Sequence, residues 1–296
     1  MGRTNLRNGV ALFAILCTLG GAFAKPQVVE PDAQQFKVGT LEMFALRDAD
    51  NVLDNDGKVF GAKVGPEAVA EVLKKAGAPT DKVTLSVDAL LVKAPDRIML
   101  FDTGLGPGVH GALMGSLAKT GIAPEQVTDI FITHSHGDHV GGLVTADGAL
   151  AFPKADIHLS VKEWAWMQGQ QNSQSLSKAI AGKVKTFEPG ASVLPGVKSI
   201  SLSGHTPGHV GYEISSGTAS LVDIGDTAHS SIVSLAKPDW AIGYDNDEGA
   251  GETTREAELK RLADGKSLLF APHFPFPGVG RIVRTNGTYS WQPSLQ

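Results

Sequence analysis

Thr133-His134-Ser135-His136-Gly137-Asp138-His139 decides how this chain is read. Three imidazoles and a carboxylate packed this densely are costly to bury alone, because each ring nitrogen and carboxylate oxygen needs a partner. A divalent cation satisfies them together. Side chains alternate along an extended segment, so His134 and His136 point the same way and can share one ion. Asp138 and His139 follow at a tight turn, which offers them to a second ion nearby. All the donors are nitrogen or oxygen, which suits zinc first and also admits manganese, iron or cobalt. A solvated histidine-rich loop and a mononuclear structural site are the alternatives. They fit less well, since structural zinc sites are normally closed and rich in cysteine.

Outward from this stretch, strand-like and helix-like segments alternate, and each polar cluster falls just past the end of a strand. Ile130 to Thr133 reads as the strand that delivers the histidines, with a short helical turn opening at Pro124-Glu125-Gln126. Upstream, Val83 to Val92 and Ile98 to Asp102 read as strands joined at Ala94-Pro95-Asp96-Arg97. Pro66 to Ala76 has helical spacing, with Gly77 as a stop. Downstream, Ile157 to Ser160 reads as a strand, Val161 to Gln168 as a helix and Gln168 to Ser177 as a polar linker. Three more strands, Val197 to Ser203, Ala219 to Ile224 and Ser267 to Ala271, end at His205, Asp226 and His273. Thr253 to Ala263 reads as an amphipathic helix with Leu259, Leu262 and Ala263 on one side. Loops at one end of rigid strands are where a polar constellation can be held in place.

The first residues read as an export signal. Arg3 and Arg7 precede an apolar run from Val10 to Gly20, and Ala22-Phe23-Ala24 gives the small-x-small pattern for cleavage before Lys25. The run is short for a spanning helix, which needs about 20 apolar residues. The only cysteine, Cys17, lies in this segment, and Leu16 argues against a lipoprotein site. We therefore expect a signal peptide at 1–24, a loosely packed polar arm at 25–35 and one domain at 36–296, secreted or periplasmic. The mature chain then has no disulfide, no thiolate ligand and no stable membrane association. A net charge of −5 without long basic runs argues against a nucleic-acid partner. A homodimer is compatible with the sequence and not required by it.

The His134 to His139 run resembles the HxHxDH signature of the metallo-β-lactamase superfamily, and the likeness extends along nearly the whole chain. Asp102-Thr103-Gly104 resembles the family's early Asp-x-Gly element, and Ser203-Gly204-His205-Thr206-Pro207-Gly208-His209 its third-histidine loop. Gly225-Asp226 resembles the element whose aspartate bridges two metals, and His273 the final ligand. The resemblance implies an α+β fold, an αββα sandwich of two central mixed sheets with helices outside. It implies that one metal takes His134, His136 and His205, that the other takes Asp138, His139 and His273, and that Asp226 and a hydroxide lie between them. Asp226 and Asp138 are then the catalytic carboxylates, Asp138 as a candidate for proton transfer. Asp102 would orient the histidine loops.

The same resemblance implies a small-molecule substrate. The bridging Asp226 makes β-lactam hydrolysis the runner-up, because penicillin-hydrolysing members generally lack it. The acidic balance and export argue against the RNA-processing branch, and no C-terminal helical domain with a basic glutathione site is evident. The tail His273-Phe274-Pro275-Phe276-Pro277-Gly278-Val279-Gly280-Arg281 resembles that of secreted methyl-parathion-hydrolase-type enzymes and their lactonase relatives. An ester, lactone or phosphotriester with an apolar portion is the expected substrate. Trp164, with Trp166 as its alternative, and Phe274 are read as an apolar wall over the metals, and His229 as a substrate contact where related lactonases often carry tyrosine. His209 reads as a supporting hydrogen-bond partner, His158 as packed in its strand, and His110 as unmarked. A non-catalytic metal-binding protein on the same fold is the reading from a different class, and the presence of all seven ligands weighs against it.

Overall fold

The structure is a computed structural model that describes residues 25–295; the export signal read at 1–24, with Cys17, lies outside the described residues. The first sheet holds β1 (Lys25–Gln27), β2 (Ala33–Val38), β3 (Leu41–Asp54), β4 (Lys82–Lys93), β5 (Ile98–Phe101), β6 (Asp129–Phe131), β7 (Asp156–Ser160) and β8 (Val184–Phe187). Its order is β1-β3-β4-β5-β6-β7-β8, with β2 also on β3. The pairs from β5 to β8 are parallel and the others antiparallel. The second sheet holds β9 (Ser192–Leu194), β10 (Val197–Ser201), β11 (Val210–Ser216), β12 (Ala219–Asp223), β13 (Leu268–Phe270), β14 (Val279–Thr285) and β15 (Thr288–Pro293), neighbours in chain order. Only β12 and β13 pair in parallel there.

The helices are α1 (Pro66–Lys75), α2 (Leu113–Lys119), α3 (Gly137–Val140), α4 (Val161–Gly169), α5 (Gln174–Ile180), α6 (Val233–Ala236) and α7 (Glu248–Gly265). Buried side chains separate into layers that follow from the strand alternation. Met43, Leu90, Val92, Phe101 and Phe131 of the first sheet meet Val210, Tyr212, Ile214 and Phe270 of the second. The opposite face of the first sheet packs on Leu117 of α2, Met167 of α4 and Ile180 of α5. The opposite face of the second packs on Leu259 and Leu262 of α7. This is the expected αββα sandwich. No helix among the described residues is long and apolar enough to cross a membrane.

Two expected segments differ. The arm at 25–35 is not loose: β1 pairs with Asp50–Val52, β2 with Leu41–Leu46, and Arg47 donates its backbone N–H to the Asp32 carbonyl. Its polar residues sit on exposed faces of strands that bury little beyond Phe36 and Val38, so the sequence carried no apolar run to mark them. The linker at 168–177 is helical, a turn at Gln171–Ser173 followed by α5. Leu176 and Ile180, one helical turn apart, anchor it on the core.

Between the sheets, Tyr212 ties the core to the histidine loop. Its ring lies edge-on to Phe101 and Phe131, 5.4 Å from each, and its hydroxyl donates to the Ile132 carbonyl at 2.7 Å. Tyr212→Ala is expected to cost about 3–5 kcal/mol, the usual range for a truncated core aromatic, and Tyr212→Phe about 1 kcal/mol, the single hydrogen bond. Denaturant titration of the two variants checks both values.

Candidate metal centre

Four strands of the two sheets end at one edge of the sandwich, and the polar loops that follow them converge there. The chain leaves β6 at Phe131, passes Thr133 and His134, and enters α3, where the His139 N–H donates to the His136 carbonyl at 3.0 Å. His205 follows β10, Asp226 stands in the turn Gly225–Thr227 after β12, and His273 follows β13. Gly225 has φ 47°, and a Cβ there would stand 2.5 Å from His209 Nε2, so only glycine allows the turn.

The seven residues form two ligand sets joined by one carboxylate. His134, His136, His205 and Asp226 offer ligand atoms within 4.8 Å of one another, and Asp138, His139 and His273 do likewise. Asp226 Oδ2 lies 3.2 Å from His205 Nε2 and 3.5 Å from His134 Nε2. Its Oδ1 lies 3.2 Å from His139 Nε2 and 3.1 Å from His273 Nε2. His136 Nδ1 is 3.0 Å from His134 Nε2 and 2.9 Å from His205 Nε2, near the spacing of about 3.3 Å for nitrogens sharing a tetrahedral zinc at 2.0–2.1 Å. His139 Nε2 and Asp226 Oδ1 are buried without a hydrogen-bond partner. Such orphans are expensive unless a cation takes them, so the donor set fits a pair of divalent ions. His136 and Asp138 are the two members that reach solvent, which places the open side of the site between them.

Outside the cluster, fixed acceptors set which nitrogen of each ring faces inward. His139 Nδ1–H donates to Asp102 Oδ2 at 2.7 Å, His205 Nδ1–H to Asp245 Oδ1 at 2.9 Å, and His273 Nδ1–H to the Ser86 carbonyl at 2.7 Å. Each leaves its Nε2 lone pair for an ion. Asp102, in a left-handed backbone conformation with φ 58°, also accepts the Thr133 N–H and hydroxyl, both at 2.8 Å. That matches the orienting role its resemblance implied. Asp245 is held in turn by the buried Arg255 at 3.3 Å. His209 Nδ1–H donates to the Leu202 carbonyl at 2.8 Å, and its Nε2 accepts the Asp226 N–H at 3.0 Å, so it positions the bridging residue.

The charges answer one another. Burial alone would raise the Asp226 carboxyl, but His139, His273, His134 and His229 overcome it and hold the group well below the usual carboxylate range. Burial opposes charge on His205 as well, yet Asp226 and Asp245 lift it to about 9. Against the same burial, His139 is pulled well above its ordinary value by Asp226, Asp102 and Asp138. His273 is likewise raised, chiefly by Asp226. His136 goes down to about 3 through burial and its neighbour His205. These shifts favour the protonated imidazole at His139, His205 and His273 when no ion is bound, and a bound cation would displace those protons.

The remaining assignments divide. His229 is 2% exposed, with Nε2 3.1 Å from Asp226 Oδ2, its ring stacked on His273 at 5.2 Å and its Nδ1 unpartnered. It belongs to the centre itself. Trp164 does not face the site: it packs on the helix-side core, while Trp166 stands edge-on to His136 at 5.8 Å. At about 100° per residue the two flank the buried Glu163–Met167 face of α4 on opposite sides, and the sequence alone did not tell them apart. Phe274 is fully buried against Trp291 in the core beneath α7, so it is a packing residue and not a substrate contact. His158 Nε2–H donates to Asp129 Oδ1 at 3.0 Å, and its ring stacks on Phe131, as its strand position suggested.

Three residues went unread. Tyr244 sits 5.7 Å from His229, its hydroxyl pushed up to about 12 by burial with Asp138 and Asp226 nearby, so it stays a donor. Asp245 lies forty residues from the histidine it serves. Glu163 is 0% exposed and binds both histidine loops. Its one signal is Ser160-x-x-Glu163, a capping-box pattern, of which only half forms: Ser160 Oγ accepts the Glu163 N–H at 3.1 Å, and the carboxylate turns away to the loops.

Residues 83–273 match the family model described as the metallo-beta-lactamase superfamily, and the chain belongs to that superfamily. Among solved structures it is similar to AidC, a dizinc quorum-quenching lactonase in complex with N-hexnoyl-L-homoserine. That match has 29% identity and TM-score 0.84, and covers 89% of this chain and 98% of that one. It is also similar to the hydrolase AbOPH of the beta lactamase superfamily, at 31% identity and TM-score 0.82 over 90% of this chain and 99% of the other. Among curated proteins, the uncharacterized protein YobT of Bacillus subtilis is 28% identical over 214 residues, 67% of this chain and 85% of YobT.

Proposed function

We propose that this chain is a dinuclear metal-dependent hydrolase of lactone, ester or phosphotriester bonds. The observation that carries the reading is the division of Asp226, one oxygen toward each set of histidines. Two divalent ions, zinc by the donor set and by likeness to the dizinc lactonase, would supply a nucleophile from water at neutral pH and Lewis acidity toward the carbonyl or phosphoryl oxygen. Asp226 lies between the two positions, and Asp102, Asp245 and the Ser86 carbonyl fix the Nδ1 protons of His139, His205 and His273 outward, so that each Nε2 is the atom offered to an ion. Substrate enters on the side of His136 and Asp138. Asp138, at that opening, is the carboxylate placed to carry a proton. Trp166 offers an apolar surface beside His136 for the acyl or leaving portion. His229, through its unpartnered Nδ1, and the phenol of Tyr244 are the groups that can hold a substrate oxygen. With an export signal at 1–24, such substrates would be met outside the cytoplasm.

A hydrolysis panel tests this reading on the zinc- or manganese-loaded protein: an acyl-homoserine lactone, an arylester, a phosphotriester and a cephalosporin, each with and without chelator. Chelator-sensitive turnover of any of the first three is expected. Turnover of the cephalosporin alone would replace the substrate class, and no turnover on any arm would favour a non-catalytic metal-binding protein.

A further inference from the structure

Glu163, at the start of α4, makes contacts that are not shared evenly between the two ligand sets. Its Oε1 accepts the Ser135 backbone N–H at 2.8 Å and the Ser135 hydroxyl at 2.6 Å. Its Oε2 accepts the Thr206 hydroxyl at 2.6 Å and the Gly208 N–H at 3.1 Å. Ser135 lies between His134 and His136, and Thr206 follows His205. One carboxylate therefore joins the two loops that carry all three histidines of one set, and it contacts neither Asp138 nor His273 nor their supports. The docking is close. Ser160 Oγ donates to the Gly208 carbonyl at 2.7 Å, and a Cβ on Gly208 would fall 2.1 Å from the Glu163 nitrogen. The other set has braces of its own, Asp102 on His139 and the Ser86 carbonyl on His273, with Asp102 also reaching His134 through Thr133.

We propose that Glu163 is a positioning residue for one metal of the pair: it holds the His134, His136 and His205 position and leaves the Asp138, His139 and His273 position to its own supports. The inference rests on the dinuclear reading above. Its physical ground is that an ion binds tightly only where its ligands are already in place, and that outer hydrogen-bond partners commonly change metal affinity by about 10–100-fold. A carboxylate is needed because all four partners donate. In Glu163→Gln the amide oxygen can still serve Ser135, while the amide nitrogen meets the Gly208 N–H donor to donor.

The test is chelator competition with metal content read by elemental analysis, on the native chain, Glu163→Ala and Glu163→Gln, with circular dichroism confirming that each is folded. The native chain is expected to bind two ions. Glu163→Ala should bind one ion about 10–100-fold more weakly and the other within about 3-fold of native, with Glu163→Gln between. Pairing with ligand variants identifies the position. Glu163→Ala with His273→Ala should hold no ion under conditions where His273→Ala holds one, whereas adding Glu163→Ala to His134→Ala should remove nothing further. Should Glu163→Ala not fold, Glu163→Gln carries the comparison. Equal weakening of both ions, or no weakening in a folded variant, overturns the proposal. A native chain that binds fewer than two ions instead overturns the dinuclear reading itself.

Discussion

Asp226→Ala will bind one divalent ion where the native chain binds two, and its turnover of the best panel substrate will fall by roughly 10²–10³-fold. Asp226 is 3% exposed and, among the described residues, contributes the only carboxylate oxygens that face both histidine sets at 3.1–3.5 Å. The set that includes Asp138 then keeps two histidines and one partly exposed carboxylate, the poorer of the two donor sets, and loses its ion first. Metal Lewis acidity is worth several kcal/mol of transition-state stabilisation, and each 1.36 kcal/mol is tenfold, which gives the stated range. The fold should survive, because His209 holds the Asp226 backbone N–H and not its side chain. Metal content and steady-state kinetics on the same preparation decide it. Two retained ions with turnover within about 3-fold of native would remove the bridging assignment.

The centre was legible in the sequence where chemistry is local, and it became opaque where the fold brings distant segments together. His134, His136, Asp138 and His139 declare themselves by density, whereas His205, Asp226 and His273, each just past a short strand, were marked as ligands by the family resemblance of their loops. Those strands were visible as apolar runs, and their distribution along the chain agreed with the sandwich that the family resemblance implied. The supports were another matter. A lone buried glutamate such as Glu163 costs too much to be guessed at without its four donors, and Thr206 and Gly208 lie more than forty residues away. Asp245 and Arg255 form a pair ten residues apart across a loop, and nothing local marks either. The aromatics failed for a different reason. A tryptophan or phenylalanine beside a ligand serves core or cavity equally well, and small differences of helical phase or turn geometry put Trp166 at the site and Phe274 under α7.

Each ion stripped will lower the melting temperature by roughly 8–16 °C when the loaded state is measured at free metal about 1,000-fold above that site's dissociation constant, and the gap will widen with pH. Ligand held by the native state alone adds about 4.1 kcal/mol at that excess, and a chain of this size shifts by roughly 2–4 °C per kcal/mol. The pH dependence comes from groups that differ between the two states. His136 and His209, both pushed down to about 3, are neutral in loaded and stripped protein alike and cancel in the difference. His139, His205 and His273 do not cancel, for they are raised in the stripped protein and must be unprotonated to hold an ion. A histidine raised in the folded state stabilises fully below its unfolded value of about 6.5, and that stability is lost as pH climbs through the folded value. For His205 the window is therefore 6.5 to about 9, and across it the stripped protein weakens while the loaded one does not. Melting curves at pH 6 and pH 8.5, with and without chelator, should show the larger gap at pH 8.5. Adding zinc to the stripped protein at pH 7 in weak buffer should release protons, His205 among their sources. A gap that is the same at both values, with no proton release, would mean that these imidazoles do not exchange protons for metal and that the donor set closes on something other than a cation.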